Sequence, residues 1–378
     1  MNVTKKDQAV KTSAWFLYTL IVLEILFMVS PFAAYYYSIY ATPLNLLQES
    51  QHTAWLTMYL LPHFAYSDSW LANGLLIISW PLILGGLVLF VFGFCQIYWS
   101  KINKKGAVEA GLYRYIRHPQ YVALAIVGLG ASLYWSRFLV VLAFVSMLCL
   151  YYYLARLEER ICLQKFGQSY REYLDQTGMF LPRNWEARWR SIDWPVANNK
   201  WVRGFEFAFI YAVVLALTTG AAYLLRSHVI ESLQTDVGEA RVTVFLAPVS
   251  PATRATVIRI LDSTASVAEL AYVAPLSWRI PELGLEASRE IQAGGGSLAE
   301  FFHPSTHGNS LVYDEHQLKV VLVEARSIGE EPTGLPRFSR ALNVRPMEFL
   351  TLDIDAGEMV ERKTEGNSQW EGIPVPTF

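Results

Sequence analysis

Unbroken apolar runs, rather than alternations, dominate the first 226 residues. Trp15–Tyr40, Leu71–Trp99 and Phe205–Leu225 each reach the roughly 20 mostly apolar residues a helix needs to cross a bilayer core. Two shorter apolar runs lie between the second and third, Tyr121–Trp135 and Phe138–Ala155, separated only by Ser136 and Arg137. Pro119 suits the first helical position, where its missing N–H is no loss, and extends the first of these runs. Apolar helices joined by so brief a turn run antiparallel, as a hairpin. The pattern predicts five membrane helices, at about 15–40, 71–99, 119–135, 138–155 and 205–225.

Beyond Arg226 the period changes. "RVTVFLAP", "KVVLVEA" and "MEFLTLDID" read as strands, and Ala252–Leu261 and Ala287–Ile291 as helix-compatible stretches. The expected architecture is therefore an all-α transmembrane domain over 1–226 followed by a small α+β soluble domain over 227–378. Gly294–Gly296 precede no strand–helix phosphate motif and read as a flexible turn. His303 and His307 sit in "HPSTHG", a Pro/Gly loop rather than one helix face, so metal binding is not expected there. Binding a protein partner and helping assembly are both compatible with this domain.

Composition sharpens the division. Hydrophobic residues make up 53% of the chain and charged residues 17%, against a usual charged share of roughly 25%. From Ser227 onward there are 12 Lys/Arg and 21 Asp/Glu, a balance of −9, so the part before it is net basic. A basic membrane half with an acidic soluble tail argues against nucleic acid as partner. Lys/Arg asymmetry sets orientation: Ala41–Trp70 has none, whereas Lys101–Gln120 has five and Arg156–Gly204 nine. The N-terminus and the loop around Arg117 are thus expected on the cytoplasmic side of a bacterial inner membrane, with 227–378 extracytoplasmic. Lys5, Lys6 and Lys11 precede an apolar run far longer than the roughly 7–15 residues of a cleavable signal, which reads as a signal anchor. Cys95, Cys149 and Cys162 all lie in or beside membrane segments, with neither zinc spacing nor a CxxC pair.

Candidate chemistry gathers in "GLYRYIRHPQYVALAIVGLG", Gly111–Gly130. Arg114, Arg117 and His118 stand just ahead of Pro119 and Tyr121, at a helix N-terminus whose free N–H groups favour an anion. Taken alone, the two arginines could simply snorkel to lipid headgroups. A second patch, "ARLEERICLQKFGQSYREYL", follows the hairpin and carries Glu158 and Glu159. A hairpin returns to its starting side, so these carboxylates come back near Arg117 and His118. Interfacial ion pairs with Arg156, Arg160 or Arg114 are the plainer reading. Cations on one wall and carboxylates on the other also suit a zwitterionic ligand such as S-adenosylmethionine.

"GLYRYIRHPQYVA", an apolar hairpin, "EER", "KFGQSYREYL" and "GMFLP" in that order resemble the isoprenylcysteine carboxyl methyltransferase and phospholipid methyltransferase superfamily, from about Gly106 to Pro182. Ala123 departs from the family's usual Gly but is small enough for close helix packing. The resemblance implies an integral-membrane enzyme transferring a methyl group from S-adenosylmethionine to a lipid or isoprenylcysteine-like acceptor. It further implies that Arg117, His118, Pro119, Tyr121, Glu158 and Glu159 bind the cofactor, and that Arg156 and Glu158 serve acceptor and chemistry. Tyr113, Arg114, Tyr134 and Tyr152 are further pocket-wall candidates. Two rivals are a nicotinamide-dependent membrane reductase of the sterol-reductase type and a non-catalytic membrane anchor for the C-terminal domain.

Two weaker features remain. Glu24, inside the first apolar run, is either functional or turned to a polar neighbour. Asp175–Gly204, with Trp185, Trp189, Trp194 and Trp201 among Arg and Pro, reads as a segment lying on the membrane surface.

Overall fold

The computed structural model describes residues 52–61, 67–103, 110–190, 200–264, 268–276, 315–327 and 334–364, with isolated positions elsewhere. The chain divides into two compact units, one formed within residues 1–30, 74–136 and 140–221, the other within 31–73, 137–139 and 222–378.

The first unit is helical. Its elements are drawn from α1 (Trp70–Ile102), α2 (Pro119–Tyr134), α3 (Phe138–Phe166), α4 (Gln168–Gln176), α5 (Arg183–Arg190) and α6 (Lys200–Glu231). Among the described residues, three helices are long and apolar enough to cross a membrane: Trp70–Ser100 in α1, all of α3, and Phe205–Glu231 in α6. Helix α2 forms where the sequence places it, but has 16 residues. At about 1.5 Å per residue it covers about 24 Å, short of a hydrocarbon core of about 30 Å. Most of the expected helix at 15–40, Glu24 included, lies outside the described residues; Trp15, Phe16 and Thr19 at its start are helical. Of the five expected crossings, three full-length helices and one short apolar helix are therefore observed.

Only 11% and 6% of the most apolar windows of α1 and α6 are buried within the protein, against 28% for α3. Ile77, Val88, Leu217 and Leu224 all point outward. So much contiguous apolar surface is costly in water and natural against lipid.

Close packing of the hairpin on α1 depends on two glycines. A Cβ at Gly86 would stand 2.9 Å from the Ala123 carbonyl oxygen, and one at Gly130 would stand 2.6 Å from the Ser79 carbonyl oxygen. Backbone thus meets backbone on each side, the small-residue contact through which apolar helices associate without a hydrophobic driving force. Ala123 itself is fully buried. On the other side of the unit, Ser146 and Tyr211 share a 2.6 Å hydrogen bond that ties α3 to α6. Helix α3 runs eleven residues past the apolar stretch ending at Ala155 and carries Glu158 and Glu159 on that extension. Gly167, at φ +59°, breaks the chain between α3 and α4 in a conformation that side chains rarely adopt.

The second unit holds a six-stranded sheet in sequence order, β1 (Thr235–Val237), β2 (Val242–Phe245), β3 (Leu270–Pro275), β4 (Gln317–Ser327), β5 (Ala341–Asp353) and β6 (Glu358–Thr364). Every neighbouring pair is antiparallel except β2 and β3, which α7 (Pro251–Asp262) connects. Ser250 caps α7 by accepting from the Thr253 N–H, with Pro251 in the first turn. Val257, Ile260 and Leu261 of α7 pack on Phe245, Val273, Val320 and Leu350 of one sheet face. On the opposite face Phe338 of α8 (Leu335–Ser339) meets Tyr272 edge-on, centroids 6.2 Å apart. Arg226 is buried here, donating to the carbonyls of Tyr59 (2.8 Å) and Ser339 (2.6 Å).

The three strand-like stretches in the sequence become β2, β4 and β5, and Ala252–Leu261 becomes α7. Strands β1, β3 and β6 carry no comparable alternation: every residue of β3 is buried and every residue of β6 exposed. A strand covered on both faces or on neither has no period-2 signature. The stretch 287–291, Gly294–Gly296, His303 and His307 lie outside the described residues.

Candidate functional site

Three chain segments meet in the helical unit. The first ends the loop before α2. Here Tyr113 and Arg114 lie on a 3-10 turn, Gly111–Arg114, and His118 is the N-cap residue of α2 with Pro119 in the first turn. The second is the α3 extension. The third follows α4, and its backbone pairs with the first: the Arg117 N–H donates to the Gly178 carbonyl (2.9 Å) and the His118 N–H to Met179 (3.2 Å), beside an Ile116–Gly178 bridge. Glu186 of α5 in turn accepts from the Met179 N–H at 2.9 Å. The "GMFLP" motif therefore acts through its main chain, holding the Arg-His-Pro segment in register.

Arg117 and Glu159 form the centre. Arg117 Nε donates to Glu159 Oε1 at 2.7 Å, with both side chains under a tenth exposed. Nη1 of the same arginine donates to the carbonyls of Leu174 (3.1 Å) and Thr177 at the end of α4. One guanidinium thus joins all three segments. Charge-assisted bonds of this kind are strong, and the guanidinium fork meets several acceptors at once.

Around that pair, His118 Nδ1 stands 3.4 Å from Glu158 Oε2 and Nε2 stands 3.6 Å from Glu159 Oε1. Tyr121 OH donates to Glu158 Oε1 at 2.8 Å. The Tyr121 ring is stacked between His118 (centroids 5.6 Å) and Tyr151 of α3 (5.2 Å). Arg156 is exposed and reaches Glu159 Oε2 only at 3.8 Å.

The two adjacent glutamates occupy different surroundings. Glu159 is buried and shared between Arg117 and His118, whereas the Glu158 side chain retains 31% exposure. Burial alone would lower the His118 pKa; the approach of Glu158 and Glu159 outweighs it and raises the value above that of an ordinary imidazole.

Arg117, His118, Pro119, Tyr121, Glu158 and Glu159 are therefore brought together, with Arg156 at the rim. The pocket-wall candidates separate. Tyr113 is buried next to the cluster, Arg114 and Tyr152 are exposed, and Tyr134 pairs edge-on with Trp80 at the far end of α2. Thirteen residues of helix, about 20 Å, part Tyr134 from Tyr121.

Three contributors were not singled out from the sequence. Tyr151 stacks on Tyr121, Glu186 holds Met179, and the Tyr173 hydroxyl donates to the Tyr113 carbonyl at 2.6 Å. The three-residue spacing of Tyr170 and Tyr173 places both on one helix face, and both are buried.

Polar atoms without partners also mark the cluster. Among the described residues, His118 Nε2 and the Tyr113 hydroxyl are buried with no hydrogen-bond partner. Buried polar atoms are nearly always satisfied in proteins, so such atoms call for a ligand or a specific cause.

The family model for phospholipid methyltransferases matches residues 71–169, a span that contains α1, the hairpin and both glutamates. That family lies in the isoprenylcysteine and phospholipid methyltransferase superfamily. No match is found among curated proteins or among solved structures.

Proposed function

We propose that this chain is a membrane methyltransferase that uses S-adenosylmethionine to methylate an amphiphilic acceptor, a lipid or an isoprenylcysteine-like group, because residues 71–169 carry the phospholipid methyltransferase family pattern within a unit of membrane-capable helices. The observation that carries the reading is the convergence of Glu158 and Glu159 on Arg117, His118 and Tyr121, some forty positions earlier in the chain. The family match lends no support to a nicotinamide reductase or a non-catalytic anchor.

The residues suit such a ligand. Glu158, held by Tyr121 yet partly open, offers a carboxylate to an ammonium or ribose hydroxyl. His118 Nε2, 3.6 Å from Glu159 Oε1 and without a closer hydrogen-bond partner among the described residues, leaves a polar atom for the ligand on the facing wall. Glu159 serves as a positioning residue, since Arg117 and His118 already engage it. Pro119 starts α2 so that the aromatic ring of Tyr121 lies beside them.

When bound, S-adenosylmethionine supplies an electrophilic methyl group on a cationic sulfur. A site from which water is excluded would disfavour the separated charges of a sulfonium and a carboxylate acceptor and so assist transfer. Arg156, exposed one turn before Glu159, can receive an acidic acceptor group. A carboxylate acceptor needs no base; for an amine acceptor, Glu158 is placed to take the proton. Lys/Arg asymmetry along the sequence supports a site at the cytoplasmic face with residues 227–378 on the other side.

The test is incubation of membranes containing the protein with radiolabelled methyl donor, followed by separation of lipid from protein. Label in the lipid fraction is expected, base-labile for an ester and base-stable for an N-methyl group. Absence of transfer by the wild type, or equal transfer by Glu158→Ala, overturns the reading.

A further inference from the structure

Beside the Glu158 cluster lies a hydroxyl that the described residues do not use. Tyr113 is 7% exposed, and its phenol oxygen has no hydrogen-bond partner among the described residues. A dry, unpaired hydroxyl costs stability that a phenylalanine would not. The residue is nonetheless held from its backbone side. Tyr173 donates to its carbonyl at 2.6 Å, and the neighbouring Leu112 N–H donates to Gln96 Oε1 at 3.3 Å.

The phenol oxygen reaches toward α1 at Gly93. An added Cβ at Gly93, which has no side chain of its own, would stand 3.9 Å from it and 3.5 Å from Cγ of Gln120. Burial, then the neighbouring Tyr173 and the Glu158 carboxylate, raise the Tyr113 pKa. The oxygen therefore keeps its proton at neutral pH: it is a donor, not a base.

We propose that Tyr113 is a ligand-contact residue whose hydroxyl donates a hydrogen bond to an acceptor atom of the bound ligand. The inference rests on the methyl-transfer reading and adds to it an uncharged donor beside the charged residues. Acceptor atoms of this kind come from two sources, the ribose and carboxylate oxygens of the methyl donor or the carbonyl and phosphate oxygens of the lipid. The shared chemistry is an oxygen acceptor at the end of the Tyr113 phenol. A buried hydroxyl left unpaired by the fold is the pattern of a group reserved for a partner that arrives later.

The test is Tyr113→Phe in the full-length protein in detergent, with three readouts. The first is thermal unfolding without ligand, in which the variant is expected to melt at the wild-type temperature or higher. The second is the dissociation constant for S-adenosylhomocysteine, and the third the KM for lipid acceptor in the radiolabel assay. One of these two is expected to rise roughly 3- to 10-fold, the size of one neutral hydrogen bond; which one rises identifies the source. A variant that melts lower without ligand has lost a structural bond and overturns the inference. So does a variant unchanged in both constants while the wild type binds and turns over. A wild type that neither binds S-adenosylhomocysteine nor transfers label removes the functional reading itself, and this inference with it.

Discussion

Arg117 Nε and Glu159 Oε1 are 2.7 Å apart and 42 positions apart in the chain, buried together where the loop before α2, the α3 extension and the end of α4 meet. Removing one member strands the other in a low-dielectric site, which costs about 3–5 kcal/mol. Arg117→Met and Glu159→Met should each lower the melting temperature sharply in detergent. The double variant should be less destabilised than the sum of the two. Additive losses in the double-mutant cycle would show that the pair is not coupled.

Glu158 and Glu159 should fail differently. Glu158→Gln is expected to leave the melting temperature within a few degrees while weakening S-adenosylhomocysteine binding by tenfold or more, as expected for loss of a charge-assisted bond of about 1.5–3 kcal/mol. Glu159→Gln is expected to lose stability and binding together, because its carboxylate is buried against Arg117 and His118. Calorimetric titration beside thermal melts separates the two. Identical behaviour of both variants would erase the distinction drawn from their exposure.

Stability should fall with rising pH through His118. Its folded pKa lies above the ordinary imidazole value of about 6.5 because of Glu158 and Glu159, despite burial. A raised folded pKa means the contribution is complete below the unfolded value and is lost as pH climbs through the folded one. Wild type should therefore exceed His118→Asn by most near pH 5.5, with the gap narrowing toward pH 9. A gap that widens over that range would reverse the assigned direction.

The hairpin should tolerate no side chain at Gly130. A Cβ there would meet the Ser79 carbonyl oxygen at 2.6 Å, which is backbone and cannot swing away. Gly130→Ala should cost roughly 1–3 kcal/mol as an overpacking change. Gly85→Ala, with nothing within 4 Å, should be neutral or slightly stabilising, since alanine is the better helix former. Parallel melts of the two variants decide it.

Helix positions and the two halves of the site were legible from sequence alone because both are local properties. Apolar runs long enough to cross a bilayer core mark α1 and α6, and a shorter apolar run marks α3; Pro119 marks the start of α2; a two-residue break marks the hairpin that returns Glu158 and Glu159 to Arg117 and His118. Tertiary structure decided what periodicity leaves open. Adjacent residues on a helix point about 100° apart, so only the packing of α3 determines that Glu159 turns inward to Arg117 while Glu158 stays partly open beside Tyr121. The same holds for the main-chain pairing of Arg117 and His118 with Gly178 and Met179, and for the unpaired hydroxyl of Tyr113. Such contacts join residues some sixty positions apart through backbone groups that every residue carries, and so no side-chain pattern announces them.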